Sequence, residues 1–504
     1  MKNSINKIVV VTILPLVLGS MFFLACEDQL VQEPRASIVA QTYYKTEAQA
    51  FAGLVGIYNK LQEENVYGVT MYRYTAGASD DMTGNSGSNS LNRYTIDPTT
   101  STFNSTWNAL YNTIHRANIL IVNVKNADEI SQPKIDLFIA EAKFLRALSY
   151  FHLVNLFGGV PLLDEPVLPG AAKDVPRSSV SEVYSLIESD LKEAESILPP
   201  KTEVEYGRAT KGAAQALLAK AYLHQEKWAD AVSASNRVID SGIYSLHKPY
   251  YQIFRLDHEN HSGQIFSIVY STAGPQGWGN GNEGNEFSIW FTPGGWGGSQ
   301  PTEALEEAFD PDDERLKATV VQQGDKIVVP GHKIVSPDYE LQDGESFDES
   351  RFSGGVIPAR GYGKLWTVER RYAEDRSPLD WPVLRYADVL LMKAEALAEL
   401  NDLSSVQEPL TKIRNRAGLS DYDASGKSQQ QVIEDVRLER QRELALDGYR
   451  LYDLRRWGIV VETIRANVID PNLIIEAGKH ELYPIPQVQI DLSEGTLTQN
   501  PGYF

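Results

Sequence analysis

Residues 211–240 read KGAAQALLAKAYLHQEKWADAVSASNRVID, and the spacing of their apolar side chains decides the fold. Ala214, Leu217, Leu218, Ala221 and Tyr222 fall at i, i+3, i+4, i+7 and i+8, which places them on one face of an α-helix. The polar break Gln225-Glu226-Lys227 ends that helix. A second helical run follows from Trp228 to about Asp240, and Gly242 just beyond it is a C-terminal stop signal.

Two antiparallel helices of this length, meeting through alanine-rich faces, resemble a tetratricopeptide unit. The pattern recurs on both sides. Phe144, Leu148 and Phe151 mark one face of a helix ended by Gly158-Gly159 and Pro161, and Val180 to Leu198 is an amphipathic helix stopped by Pro199-Pro200. Leu390, Ala394 and Leu397 begin another hairpin, whose second arm runs from Val406 to about Ala417 before Gly418. The expected fold is mostly α, a helical-repeat scaffold in a single domain over residues 41–504. Residues from about 243 to 381 differ in kind. They carry Gly, Pro, Asn and aromatic residues with short β-like runs such as Ile265 to Tyr270, so an irregular insertion is expected to project from the scaffold. Ala76 to Thr102 reads as a second loop of this type. Loops on a rigid scaffold are where binding residues concentrate.

Composition narrows the function. Among 504 residues, Asp and Glu number 67 against 47 Lys and Arg, a formal charge of -20. That balance works against nucleic-acid binding, which rests on cationic patches against phosphate. It suits neutral ligands such as glycans and keeps an exposed protein soluble. Cys26 is the only cysteine, so no intrachain disulfide, cysteine zinc site or thiol nucleophile in the core is available.

At the N-terminus, Lys2 and Lys7 precede an uncharged, mostly apolar run from Ile8 to Ala25. Pro15, Gly19 and Ser20 and the absence of a basic stop-transfer flank favour a secretory leader over a membrane span. Phe23-Leu24-Ala25-Cys26 resembles a lipoprotein processing site, with Phe23 in place of the more usual leucine. Glu27-Asp28 resembles the acidic export tag of Bacteroidetes surface lipoproteins. The expectation is a signal peptide over 1–25, acylation of Cys26 and a tether over 26–40, giving an outer-membrane protein exposed on the cell surface.

Nearly the whole mature chain resembles the SusD/RagB family, through an ordered set of segments. These include Gly56-Ile57-Tyr58-Asn59, Arg146-Ala147-Leu148-Ser149-Tyr150-Phe151 with Phe157-Gly158-Gly159-Val160-Pro161, and Gly207-Arg208-Ala209-Thr210-Lys211-Gly212. Later come Arg385-Tyr386-Ala387-Asp388, Glu439-Arg440-Gln441-Arg442-Glu443-Leu444, Asp453-Leu454-Arg455-Arg456-Trp457-Gly458 and Asn500-Pro501-Gly502-Tyr503. The resemblance implies one α-helical fold built around tetratricopeptide units; no nucleophile-elbow or zincin motif is present, so neither catalysis nor a cofactor is expected. It also implies a SusC-like TonB-dependent outer-membrane transporter as partner and a glycan as ligand. Two alternatives stand beside glycan capture: a transporter lid with little affinity of its own or with a peptide ligand, and, less favoured, a glycoside hydrolase.

Trp278, Trp290 and Trp296 are the leading ligand residues. Glycine-flanked tryptophans in a loop have little nearby packing surface, and an exposed ring suits the C–H face of a pyranose while Asn280, Asn282, Glu283 and Asn285 could bond hydroxyls. The alternative is that the rings plug the loop onto the scaffold. Tyr72, Tyr74 and Tyr94 are secondary candidates, because the family places ligand aromatics in the early loop.

Other motifs carry less. Gly279 to Gly284 fits G-x-G-x-x-G but is followed by Phe287-Ser288-Ile289-Trp290 and not an opening helix, so no dinucleotide site is expected. Asp310 to Glu314 lacks the calcium-loop glycine, having Arg315 at the sixth position, and reads as a solvated helix end. His258 and His261 with Asp257 read as surface residues, and no metal is expected. Asp80, Asp81, Glu306 and Glu307 are too unspecific to choose a hydrolytic pair. Arg437 to Arg442 with Arg450, Arg455 and Arg456 alternate with acids at helical spacings, which predicts a structural ion-pair network.

Overall fold

The computed structural model describes residues 43–84, 89–167, 170–271, 284–287, 291, 299–322, 333–335, 340–342, 360–364 and 377–503. The leader, Cys26, the tether and Trp278, Trp290 and Trp296 lie outside these residues.

The architecture is mostly helical. Helix α1 (Glu47–Gln62) opens on a capping box, in which Thr46 accepts from the Gln49 amide and the Gln49 side chain returns to the Thr46 N–H. A π-helical turn at Glu64–Gly68 leads into the short α2 (Thr70–Thr75). The long helices α3 (Ser101–Val124) and α4 (Gln132–Phe157) pack on α1. Then come α5 (Val180–Ile197) and the hairpin of α6 (Lys211–Leu223) and α7 (Trp228–Asp240). The stops fall where the sequence puts them: Gly158 at φ 76 ends α4, Pro199 follows α5, and Gly242 at φ 66 follows α7.

The stack resumes after the insertion with α10 (Tyr386–Glu399), once two short helices have been counted, α8 (Glu303–Glu307) and α9 (Glu314–Thr319). Helix α7 packs directly on α10, so the scaffold is continuous across the insertion. Helices α11 (Leu403–Arg416), α12 (Gln429–Leu444), α13 (Arg450–Arg456) and α14 (Val460–Asn467) follow, and a last short helix, α15 (Gln487–Leu492), packs back on α3. Among the described residues no helix is long and apolar enough to cross a membrane.

Strands are short and occur in antiparallel pairs. Strand β1 (Met82–Gly84) pairs with β3 (Ser299–Pro301), and β2 (Gln264–Ile268) pairs with β8 (Trp381–Arg385). Between them, β4 (Val320–Gln322) pairs with β7 (Arg360–Tyr362), and β5 (Lys333–Val335) with β6 (Glu340–Gln342). The expected projection of the whole insertion is corrected at its ends: β2 and β8 are buried along their full length, because their apolar side chains belong to the main core.

Behind α10, α12 and α13 lies a buried ionic network. Glu443 meets Arg315 Nη1 at 3.2 Å and Arg385 Nη1 at 3.0 Å, and it also pairs with Arg416. Arg440 joins Asp388 and Asp453, and Arg456 joins Asp453 and Glu395. Of the expected network, Arg440 and Arg456 do pair with Asp453, but Asp388, Glu395, Arg315, Arg385 and Arg416 join it from other elements. The Asp310 to Arg315 segment departs from its reading as a solvated end: Asp313 caps α9, but Arg315 is completely buried between Asp313, Glu439 and Glu443.

Candidate functional site: the tryptophan-bearing segment and its roots

The three candidate tryptophans belong to a stretch whose described flanks fix it to the scaffold at four places. The first is the end of β2, where Gln62 Nε2 donates to the Val269 carbonyl at 2.6 Å and the Tyr270 N–H donates to Asp380 at 2.8 Å. The second is Asn285, which exchanges two backbone hydrogen bonds with Ser377 at 2.9 and 2.7 Å and donates its side-chain amide to the Leu379 carbonyl. The Glu286 N–H donates to the Gly68 carbonyl of the π turn at 2.9 Å. The third root is aromatic. Phe287 and Phe291, both buried, pack on Tyr72 at ring centroid distances of 5.4 and 4.7 Å, and Trp381 lies 4.3 Å from Phe287 and 5.3 Å from Tyr72. The fourth is β3, paired with β1, which follows the segment containing Trp296.

This clamp was not foreseen. The signal was available in the i, i+4 spacing of Phe287 and Phe291, which marks a buried face, but their partners Tyr72 and Trp381 are far away in sequence.

The secondary candidates are corrected. Tyr72, Tyr74 and Tyr94 are core residues and not surface rings. Tyr72 is the floor of the clamp. Tyr74 stacks on Phe103 at 5.2 Å and lies 5.4 Å from Tyr483, whose hydroxyl donates to the Tyr74 carbonyl at 2.7 Å. Tyr94 donates to the Ala78 carbonyl at 2.5 Å and packs on His480. The 76–102 stretch is buried over 76–82 and at Leu91, Asn92, Tyr94 and Ile96, with His480 packed on the Tyr94 ring.

Its carboxylates are structural too. Asp80 is gripped by Arg450 at 2.7 and 2.9 Å and by Asn467 at 2.9 Å. Burial raises its pKa, but the Arg450 charge and these hydrogen bonds outweigh that and hold it below the usual carboxylate value. Burial and then the neighbouring Asp80 charge push Asp81 up to about 7, while Gln441 donates to it at 2.9 Å. Both are fully buried, so this is no open hydrolytic pair.

His261 stacks on His247 at 4.3 Å, with His258 5.3 Å from His247, and burial lowers His261 to about 3. Among the described residues no group of three or more His, Cys, Asp or Glu side chains has metal-site geometry.

The motif arginines are anchors. Arg146 makes a two-pronged bond to Asp190 at 2.7 and 2.8 Å and reaches Asn118 and the Asp164 carbonyl, while Arg208 pairs with the buried Glu141.

Comparison with known proteins gives a consistent result. Residues 252–503 match the model of a family described as the SusD family, and residues 34–223 match one described as starch-binding, associating with the outer membrane. The SusD-like protein P25 of Formosa agariphila is 30% identical over 95% of this chain and 97% of its own length. The starch-binding protein SusD of Bacteroides thetaiotaomicron is 30% identical over 26% of this chain and 24% of its own. Among solved structures, a SusD homologue from Bacteroides thetaiotaomicron superposes with a TM-score of 0.77 at 24% identity, covering 92% of this chain and 98% of that one. A laminarin-binding SusD-like protein superposes with a TM-score of 0.74 at 28% identity, covering 91% and 100%.

Proposed function

Because the chain belongs to the SusD/RagB family, we propose that it is a cell-surface glycan-binding lipoprotein that captures oligo- or polysaccharide and delivers it to a TonB-dependent outer-membrane transporter. The observation that carries this reading is the four-rooted segment bearing Trp278, Trp290 and Trp296. Its described flanks are tied to the scaffold by Gln62, Asp380, Ser377, Tyr72 and Trp381, and binding residues on a segment attached to a rigid scaffold suit capture of a ligand. The sugar's C–H faces stack on the tryptophans and its hydroxyls bond the neighbouring amides and carboxylate. No covalent chemistry is required. The laminarin-binding relative and the family description of starch binding support a glycan as the ligand class.

Affinity electrophoresis of the mature chain through gels containing laminarin, starch and other soluble polysaccharides tests the reading. Retardation by one glycan is expected. Free migration in all of them would oppose it and favour a transporter lid without affinity of its own.

Anchoring is tested separately. Each buried methylene of an acyl chain contributes about 0.8 kcal/mol, and a single chain holds only marginally, so firm retention needs multiple acylation at Cys26. Cys26→Ala is expected to move the protein from the membrane fraction to the soluble one. Unchanged membrane retention would contradict the lipid anchor.

A further inference from the structure

A surface furrow of about 210 Å³ runs between α1, the turn at 205–208 and the end of β2. Phe51 and Val55, one turn apart on α1, form its apolar wall and are 38% and 46% exposed, although the opposite face of the same helix is core. Gly207 shapes the other wall. It sits at φ +89, and a Cβ there would lie 2.6 Å from Val269 Cγ2, so only glycine lets this turn close against the strand end.

Two polar groups rim the furrow. Arg208 lays its guanidinium over the Phe51 ring, 5.4 Å from the centroid. Its Nε and Nη2 are held by Glu141, and Nη1 makes no hydrogen bond among the described residues. Glu205 is exposed, and its carboxylate accepts no hydrogen bond among the described residues. Glu141 neutralises Arg208, so the rim keeps the negative charge of Glu205 and does not favour an anion.

We propose that this furrow is a second glycan subsite, holding one neutral sugar unit with its C–H face against Phe51 and Val55 and its hydroxyls on Arg208 Nη1 and Glu205. The volume lies below the roughly 300 Å³ at which pockets for drug-sized ligands begin, which fits one unit of a chain and not a whole oligosaccharide. In sequence, Val269 in its wall lies nine residues before Trp278. On this proposal a polysaccharide that reaches both sites gains from the high effective concentration of the second contact, and an oligosaccharide too short to reach both does not.

The inference rests on the glycan-binding reading above. Its test compares the mature wild type with Phe51→Ala, which removes the platform, and Val55→Trp, which fills the furrow. The Trp278, Trp290 and Trp296 triple alanine variant reports on the first site. Affinities are measured for the retarding polysaccharide and for its two- or three-unit oligosaccharide. Each furrow variant is expected to weaken polysaccharide binding about threefold to tenfold, the range of one lost stacking contact, and to leave oligosaccharide binding within about twofold. Polysaccharide affinity unchanged in both furrow variants, while the triple variant loses it, would overturn the subsite and leave the first reading intact. Loss of transporter capture without loss of glycan affinity would also overturn it, marking the furrow as a protein contact. A wild-type chain that binds no glycan would overturn both.

Discussion

Glu443→Ala is expected to lower the unfolding free energy by about 3–5 kcal/mol, read as a large fall in the denaturant midpoint. Glu443 ends the fully buried face of α12 and is the meeting point of Arg315, Arg385 and Arg416. Arg315 retains Asp313 and Glu439 when it is removed, and Arg385 retains Asp447, but Arg416 loses its only carboxylate partner among the described residues. An unpaired buried guanidinium is the costly outcome. Burial by itself raises the Glu443 pKa, but the charges of Arg416, Arg385 and Arg315 outweigh it and hold it far below the usual carboxylate range. A carboxyl depressed in the folded state contributes its stability above the unfolded pKa of about 4.3 and loses it as pH falls further. The wild type should therefore lose stability below about pH 4, and the variant should lose less over that interval. A drop under about 1 kcal/mol, or an unchanged acid limb, would contradict the role given to the network.

The second large effect concerns the clamp. Phe287→Ala with Phe291→Ala removes two buried rings from the Tyr72 and Trp381 cluster, where each such deletion costs about 3–5 kcal/mol in a core. The cost here falls mainly on the attachment of one segment. Opening that segment lowers the binding-competent fraction, and apparent affinity falls in proportion. Glycan binding is expected to weaken at least about tenfold, since 1.4 kcal/mol already shifts such an equilibrium by that factor, while the global midpoint falls by less than in Glu443→Ala. Unchanged affinity would show that the tryptophans do not depend on this root.

What could be read in advance was local. Helix hairpins appear in the sequence because a 3.6-residue period, a glycine at φ > 0 or a proline acts within a few residues, as Gly242, Pro199 and Gly418 do. The early loop differs from its sequence reading for the opposite reason. Whether Tyr74 faces solvent depends on Phe103 and Tyr483, and whether Asp80 is solvated depends on Arg450, 370 residues away in sequence. Arg315 shows the same limit: its neighbours in sequence are acidic and suggest a wet helix end, yet Glu439 and Glu443 arrive from α12 to bury it. Phe51 and Arg208 could not be joined on paper either, because they sit on α1 and on the turn before α6 and meet only in the folded chain, where Glu141 of α4 holds the Arg208 guanidinium.

The measurement that bears most directly on glycan capture is a calorimetric titration of the mature chain and its Trp278→Ala, Trp290→Ala, Trp296→Ala variant with the glycan that retards the wild type, beginning with laminarin. The account predicts saturable binding by the wild type and a loss of about a hundredfold or more in the variant, from three stacking contacts of about 0.5–1.5 kcal/mol each together with the apolar area they bury, at an unchanged denaturant midpoint. Equal affinity in both proteins would contradict it, because the clamped segment would then present something other than a sugar-binding face.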